Sequence, residues 1–434
     1  MFLGRFICTV FAVVVMNVAS AESNATPSKL PSVMQLRASS MPSYKPGAEV
    51  TEECLGRIVW SSDKDLTWSV YRDRNAEFTH SFSKNVFSRG DEIRFGNTQI
   101  AVHEIEPAVK QAILDSLPQN ILVYLKNKLA LADAELKKQE KRRSNGFKEQ
   151  EAYEDILMTV ENTKKTIREI VDKHKPFSAG LPDSYGYQAE EEEASGNGDR
   201  YSIYRAYLFR SDYVYTFESK EVVTEKNSAE LNRNRFLAQL AKFRTRRLNE
   251  IPAEPGVCIP FGFLPDDGRT ITDIKQSVRW ADAPGVLYTI HTGNVQRGQI
   301  KSTVVTSLAS SQVGRFGSDE EAEIKKHIDQ RIGPRQAKIG GVAGEQGGVA
   351  LKIRKAQGKP YEAYSVFTGY AGWLGTDVLP FILVDMQSFT MDQAPELNVN
   401  PPPFKQSMER LDAMLRYMRI RSTNPPMPEL AAGK

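Results

Sequence analysis

The chain has 434 residues, of which 40% are hydrophobic and 26% charged. This composition excludes a polytopic membrane protein and a largely disordered chain, and the length suggests two or three domains. Lys and Arg number 57 against 54 Asp and Glu, a net charge of +3 that is too balanced for a nucleic-acid partner. Three Cys and five His are too few for a zinc-cluster protein.

The first 21 residues, MFLGRFICTVFAVVVMNVASA, have the form of a secretory signal peptide. Arg5 supplies the positive start, Phe6 to Met16 the apolar or small run, and Ala19-Ser20-Ala21 the small residues that a signal peptidase accepts. Cleavage is expected after Ala21, with an exported product and no stable membrane insertion. The alternative is an uncleaved anchor, for which the run falls short of ~20 apolar residues. Cleavage removes Cys8 and leaves Cys54 and Cys258. Two cysteines in an exported chain suggest one disulfide. Two buried free thiols are the other reading.

Residues 22–50 are rich in Ser, Pro and Ala and read as a flexible leader. Short β-type runs follow at Ile58 to Trp60, Leu66 to Tyr71, Phe78 to Phe82 and Ile100 to Ile105. Between 107 and 174 the pattern turns helical. Leu122, Leu125, Leu129, Ala132 and Leu136 form one stripe, and Tyr153, Ile156, Leu157, Val160, Ile167, Ile170 and Val171 lie on another. The break at Ser144-Asn145-Gly146 makes these two helices an expected antiparallel hairpin.

Residues 175–200 contain frequent Gly, Pro and Ser and four consecutive glutamates, and read as a long loop. Residues 201–223 alternate with period two and hold five of the 16 tyrosines, which predicts a β-hairpin with a buried aromatic face. A helix is expected over 225–248 and a linker at Ile251 to Gly256. Strands are then expected at Cys258 to Leu264, Thr270 to Trp280, Val286 to His291 and Val304 to Leu308. A charged helix near 318–331 precedes strands at Lys338 to Val342, Gly348 to Arg354, Glu362 to Thr368 and Leu379 to Met386. A helix near 403–420 closes the chain.

Helices grouped apart from the strands favour α+β over a doubly wound sheet. The expected organisation is a signal peptide (1–21), a leader (22–50), an N-terminal domain (51–250), a C-terminal domain (256–421) and a tail (422–434). Each domain would hold a mainly antiparallel sheet with packed helices.

Motifs of catalysis are missing from the sequence. There is no G-x-S-x-G and no H-E-x-x-H, and His80, His103, His174, His291 and His327 are scattered. The glycine-rich stretch Ile339 to Gly348 lacks a following Lys-Ser/Thr and reads as a turn between strands. No catalytic, cofactor-binding or metal-binding residue is assigned, and the chain is expected not to be an enzyme.

Two segments, Cys54-Leu-Gly-Arg-Ile and Gly256-Val-Cys258-Ile-Pro-Phe-Gly-Phe-Leu, each open a strand-rich half. With Gly340 to Gly348, Tyr364-Ser-Val-Phe-Thr-Gly-Tyr-Ala-Gly-Trp-Leu-Gly, the strand Leu379 to Val384 and the closing Leu415-Arg-Tyr-Met-Arg-Ile-Arg421, their order resembles the immunity proteins cognate to type VI secretion phospholipase effectors. The resemblance covers about residues 51–421. It implies a periplasmic, non-enzymatic inhibitor whose two α+β domains form a claw around a cognate phospholipase effector. An exported hydrolase with an unfamiliar site and a structural envelope protein are the competing classes. On this reading the loop 183–199 is a candidate binding surface. Asp183, Tyr185 and Tyr187 would supply contact, and Glu190, Glu191, Glu192 and Glu193 would steer toward a basic rim. A solvated acidic tether is the alternative.

Overall fold

The computed structural model describes residues 50–62, 65–68, 92–104, 110–111, 114–115, 118–144, 150–192, 200–210, 212–224, 227–294, 328–353, 361–372, 380–389 and 399–421. The expected signal peptide, leader and tail, Glu193 and the expected strands at Phe78 to Phe82 and Val304 to Leu308 lie outside them. The elements, in chain order, are β1 (Thr51–Leu55), β2 (Ile58–Ser62), β3 (Leu66–Trp68), β4 (Glu92–Phe95), β5 (Thr98–Glu104), α1 (Pro118–Ser144), α2 (Gln150–Lys173), β6 (His174–Phe177), β7 (Ser184–Glu192), β8 (Arg200–Arg210), β9 (Tyr213–Val222) and α3 (Ala229–Lys242). Then come β10 (Arg244–Thr245), β11 (Gly256–Ile259), β12 (Gly262–Pro265), β13 (Thr272–Trp280), β14 (Val286–Gly293), β15 (Ile328–Ile339), β16 (Val342–Ile353), β17 (Tyr361–Tyr370), β18 (Phe381–Ser388), α4 (Phe404–Arg416) and β19 (Arg419–Ile420). The fold class is α+β.

These elements form two compact units. The first contains β1–β4, β10–β19 and α4; the second contains β5–β9 and α1–α3. The cut differs from the expected boundary near 250–256. Cys54 does not open one domain and Cys258 the other, because β1 and β2 belong with β11 and β12. Pairing between distant segments carries no local periodicity, and its one trace in the sequence is the pair Cys54 and Cys258.

In the first unit, β15, β16, β17, β18, β14 and β13 form an antiparallel sheet in that order, and β3 and β4 each pair with β13. Alternating residues Ile274, Val278, Tyr288, Ile290, Val384, Met386 and Val366 are buried. Helix α4 buries Phe404, Met408, Leu411 and Leu415, positions spaced to make one stripe. The helix is tied to the sheet where Tyr364 Oη donates to Pro402 O at 2.8 Å and pairs with Ser407 Oγ at 2.6 Å. Arg410 reaches from the helix to Asp282 at 2.8 Å. The turn joining β15 to β16 is Gly340-Gly341, within the glycine-rich stretch. Gly340 has φ of 58°, and a Cβ there would lie 1.9 Å from Met418 O. Only glycine fits.

Two corrections concern this unit. The described end of the helix expected near 318–331, residues 328–331, is strand, with Arg331 opposite Val349 on β16. The run Cys258 to Leu264 is not one strand but the hairpin β11–β12, turned at Pro260-Phe261, where Phe261 has φ of 55°.

Two small sheets meet beside the large one. Strand β2 lies between β1 and β19, and β12 lies between β10 and β11. Gly56 and Cys258 exchange backbone hydrogen bonds of 2.7 and 2.8 Å, and Cys54 is disulfide-bonded to Cys258. Around this junction Glu53 and Arg246 form an ion pair at 2.6 Å, both side chains at 0% exposure. Arg246 also donates to the carbonyls of Cys54, Ile259 and Gly262 at 3.0–3.3 Å. Glu53 accepts from the backbone N–H of Cys54 at 2.7 Å and of Asn249 at 2.9 Å. Arg421, after β19, donates to the carbonyls of Pro252, Glu254 and Gly256 at 2.6–3.1 Å. Burial pulls the Arg421 guanidinium down to about 10, with Arg246, Arg57 and Arg244 adding repulsion.

In the second unit the antiparallel order is β5, β9, β8, β7, β6. Ser228 Oγ accepts from the Leu231 N–H at 3.2 Å and so caps α3. That helix lays Phe236 against Phe177 and Tyr204, and Asn232 donates to Ser202 Oγ at 3.0 Å. The expected hairpin over 201–223 is present as β8–β9, but both of its faces are buried, not one. Tyr204, Ala206 and Leu208 are as inaccessible as Ile203, Tyr207 and Phe209. The expected helical hairpin is α1 packed against α2, with Lys164 of α2 at 3.8 Å from Asp133 of α1.

Removing one partner of a buried ion pair leaves the other charge uncompensated. Arg246→Met should therefore lower unfolding stability by about 3–5 kcal/mol, read as a fall in the urea midpoint. A midpoint within error of the parent would show that the carbonyl and carboxylate cage around this guanidinium contributes little.

Candidate partner-binding site

The candidate residues Tyr185, Tyr187 and Glu190 to Glu192 stand on a strand rather than in a loop, a correction to the sequence reading. The glycines and glutamates suggested irregular chain. Tyr185, Tyr187 and Ala189 instead alternate with Ser184, Gly186 and Gln188 along β7, which pairs with β6 on one side and β8 on the other. Pairing with the strongly β-prone β8 overrides weak local propensity. The alternation was the available signal. Gly186 is required at its place because a Cβ there would lie 2.6 Å from the Phe177 ring.

The strand separates the candidates. Asp183, at φ of 45°, is exposed in the turn before β7. Its carbonyl accepts from the Phe209 N–H at 2.9 Å, and Arg210 donates to the Pro182 carbonyl at 2.8 Å. Tyr185 is 37% exposed and meets Phe209 edge-on, with centroids 5.9 Å apart. Lys110 Nζ lies 5.4 Å from the same Phe209 ring.

Tyr187 is not available for contact. It is buried with Ala189, Ile203, Tyr207, Phe209 and Val214. Arg205 donates to its hydroxyl at 2.6 Å and pairs with Glu218. Burial pushes the Tyr207 hydroxyl up, and the adjoining Tyr187 adds to the rise. The guanidinium thus satisfies a buried hydroxyl from β7 and a half-buried carboxylate from β9 at once. Glu190, Glu191 and Glu192 lie opposite Ser202, Tyr201 and Arg200 at the far end of the strand. The structure therefore leaves Asp183 and Tyr185 at one end of β7 and the glutamates at the other.

A second polar surface lies on the face of the first unit's sheet that alternates with its buried residues. His291 Nε2 and Asp273 Oδ1 are 2.6 Å apart there. Asp385 has Thr289 and Phe367 as its cross-strand neighbours. Its Oδ1 is shielded from water and has no hydrogen-bond partner among the described residues. Burial pushes this carboxyl up to about 7, against a smaller opposing pull from Lys275. Neither surface assembles a nucleophile with a base. Among the described residues no group of His, Cys, Asp or Glu is arranged to hold a metal ion. No described helix is long and apolar enough to cross a membrane.

Residues 250–423 match the family model of the Tle cognate immunity protein 4 C-terminal domain. That span begins just before β11 and lies wholly in the first unit. It bears out the family resemblance read from the sequence in the C-terminal half. No curated protein matches the chain. Among solved structures, it is similar to the apo immunity protein TplEi of the T6SS from Pseudomonas aeruginosa. Identity is 14% and the TM-score 0.48, covering 86% of this chain and 98% of that one. It is also similar to the Tle4–Tli4 complex, at 15% identity and a TM-score of 0.49, covering 87% of this chain and 99% of that one.

Tyr187→Ala should cost about 3–5 kcal/mol of stability, as for other large aromatic deletions in a core, whereas Tyr185→Ala should stay within about 0.5 kcal/mol of the parent. Chemical denaturation of both variants checks this. Equal losses would mean that the two tyrosines share one environment.

The Asp385 carboxyl gives a pH dependence of definite sign. Between about pH 4 and the folded value near 7, the folded state holds a proton that the unfolded chain has lost, so stability falls as pH rises. Asp385→Asn removes this loss. Its melting temperature should exceed the parent's by several degrees at about pH 8 and by less at about pH 5. An equal difference at both would overturn the assignment.

Proposed function

We propose that this protein is a periplasmic immunity protein that binds a cognate phospholipase effector of a type VI secretion system and blocks it without being an enzyme. The observation that carries this reading is the family-model match over residues 250–423. Export is supported by the signal-like first 21 residues and by the Cys54–Cys258 disulfide, a bond that persists in oxidising compartments.

The mechanism needs only association. An interface of about 1,600 Å² with a few aromatic or Arg anchors gives tight binding, and occupying the mouth of the effector's active site excludes lipid. Because inhibition is by occupancy, its extent follows the ratio of the two proteins rather than time.

The test is a phospholipase assay of a candidate type VI effector lipase, sought first in the neighbouring gene, titrated with the purified mature chain. Activity should fall linearly to a floor at a fixed molar ratio, and the two proteins should co-elute on size exclusion. Full activity at excess, or lipid hydrolysis by this chain alone, would overturn the proposal in favour of an exported hydrolase. Failure of both co-elution and hydrolysis would point to a structural envelope protein. Edman sequencing of the periplasmic fraction should begin at Glu22; an intact Met1 would overturn the export reading.

A further inference from the structure

Helix α1 is apolar on two sides. Leu122, Leu125, Leu129, Ala132 and Leu136 are half-buried toward the rest of the unit, with Gln139 buried at the end of that stripe. At 3.6 residues per turn, Val123, Tyr124, Asn127, Ala130, Leu131 and Ala134 fall together on the opposite side. That side is open to solvent: Val123 is 58% exposed, Tyr124 65% and Leu131 75%. Among the described residues nine large hydrophobics are so exposed, and these three share one face of one helix. Scattered exposed apolar residues need no explanation, whereas a contiguous set marks an interaction surface.

The charges around the face define what it fits. Lys126 and Lys137 stand exposed along one flank, Lys128 stands exposed on the other, and Lys138 continues the outward face. The acidic residues of α1 are Asp133, Glu135 and Glu140. Asp133 is turned to Lys164 of α2, and Glu135 holds Lys138 and Gln139. The apolar strip therefore has a basic border on both sides.

We infer that this outward face of α1 docks, as a helix in a groove, into an apolar cleft with an acidic rim on the effector. The inference rests on the proposed immunity function and names the surface that serves it. Tyr124 and Leu131, seven residues apart, lie about 10 Å apart along the helix and are the anchors. The flanking lysines select an acidic rim and speed encounter, an effect that salt screens. A second copy of the chain is disfavoured because two such basic borders repel. A membrane is disfavoured because three large apolar side chains are a small insertion surface.

The experiment measures binding of the full mature chain to that purified candidate effector lipase by surface plasmon resonance. Tyr124→Ala with Leu131→Glu should weaken binding about 100-fold, mainly through faster dissociation, with an unchanged urea midpoint. Replacing Lys126, Lys128 and Lys137 by Gln should slow association about tenfold at low salt, with the difference lost at high salt. Leu231→Ala, an exposed position on α3, should bind like the parent. If the parent binds and inhibits but the α1 variants do so equally well, this inference fails while the immunity function stands. If the parent itself does not bind, both fall together. Parent binding to phosphatidylglycerol vesicles, or dimerisation, that is abolished by the same α1 substitutions would also overturn the assignment.

Discussion

The Arg246 guanidinium, caged by the Glu53 carboxylate and by carbonyls from β1, β11 and β12, is the constraint on which the first unit depends. A charge removed from water this completely is tolerated only where geometry supplies every partner. Its partners come from two distant segments, Glu53 and Cys54 on β1 and Ile259 and Gly262 on the β11–β12 hairpin, and Arg246 itself precedes β11, so the cage forms only when all three segments are in place. It is a coincidence detector for correct assembly. The Cys54–Cys258 bond and the Gly56–Cys258 backbone pair fix two of these segments, β1 with its turn and β11, covalently and by hydrogen bonding.

The second unit repeats the device in milder form. Arg205 on β8 ties Tyr187 of β7 to Glu218 of β9 across the middle of the sheet. In both units a long planar cation links strands that hydrophobic packing alone would leave free to slip. This has a bearing on partner recognition. Aromatic residues close to such a linker are committed to the interior, and surface chemistry has to come from elements that the linkers do not reach. Helix α1 is such an element.

The helices α1, α2 and α4 were legible because their apolar residues recur at helical spacing, and the β8–β9 hairpin because its tyrosines alternate. The role of Glu53, Arg246 and Arg421 was not legible. Charged residues near turns look solvated in a linear chain, and their burial follows from contacts with segments far away. The strand at Tyr185 to Glu192 was hidden by a glycine and a run of glutamates, whose composition suits a loop although their alternation suits a strand. The outward face of α1 was readable in principle. Val123, Tyr124 and Leu131 fit the same helix as the stripe of Leu122, Leu125 and Leu129, on its other side. The family model likewise begins at residue 250, yet the unit it marks takes in β1 to β4 from far upstream.

Strand β2 is sandwiched by partners from the two extremes of the described chain: β1 just before it, and β19, whose Arg419 meets Glu52 across 367 residues. As the chain emerges N-terminus first, the β1–β2 hairpin appears early with one edge unpaired, and that edge stays a template for wrong pairing until the last strand arrives. High contact order of this kind makes folding slow. Cys258 emerges long before β19, so oxidation to Cys54 can pin the hairpin in place during the wait. The disulfide is then less a reinforcement of the finished molecule than a temporal bookmark, holding the first page open until the last is read.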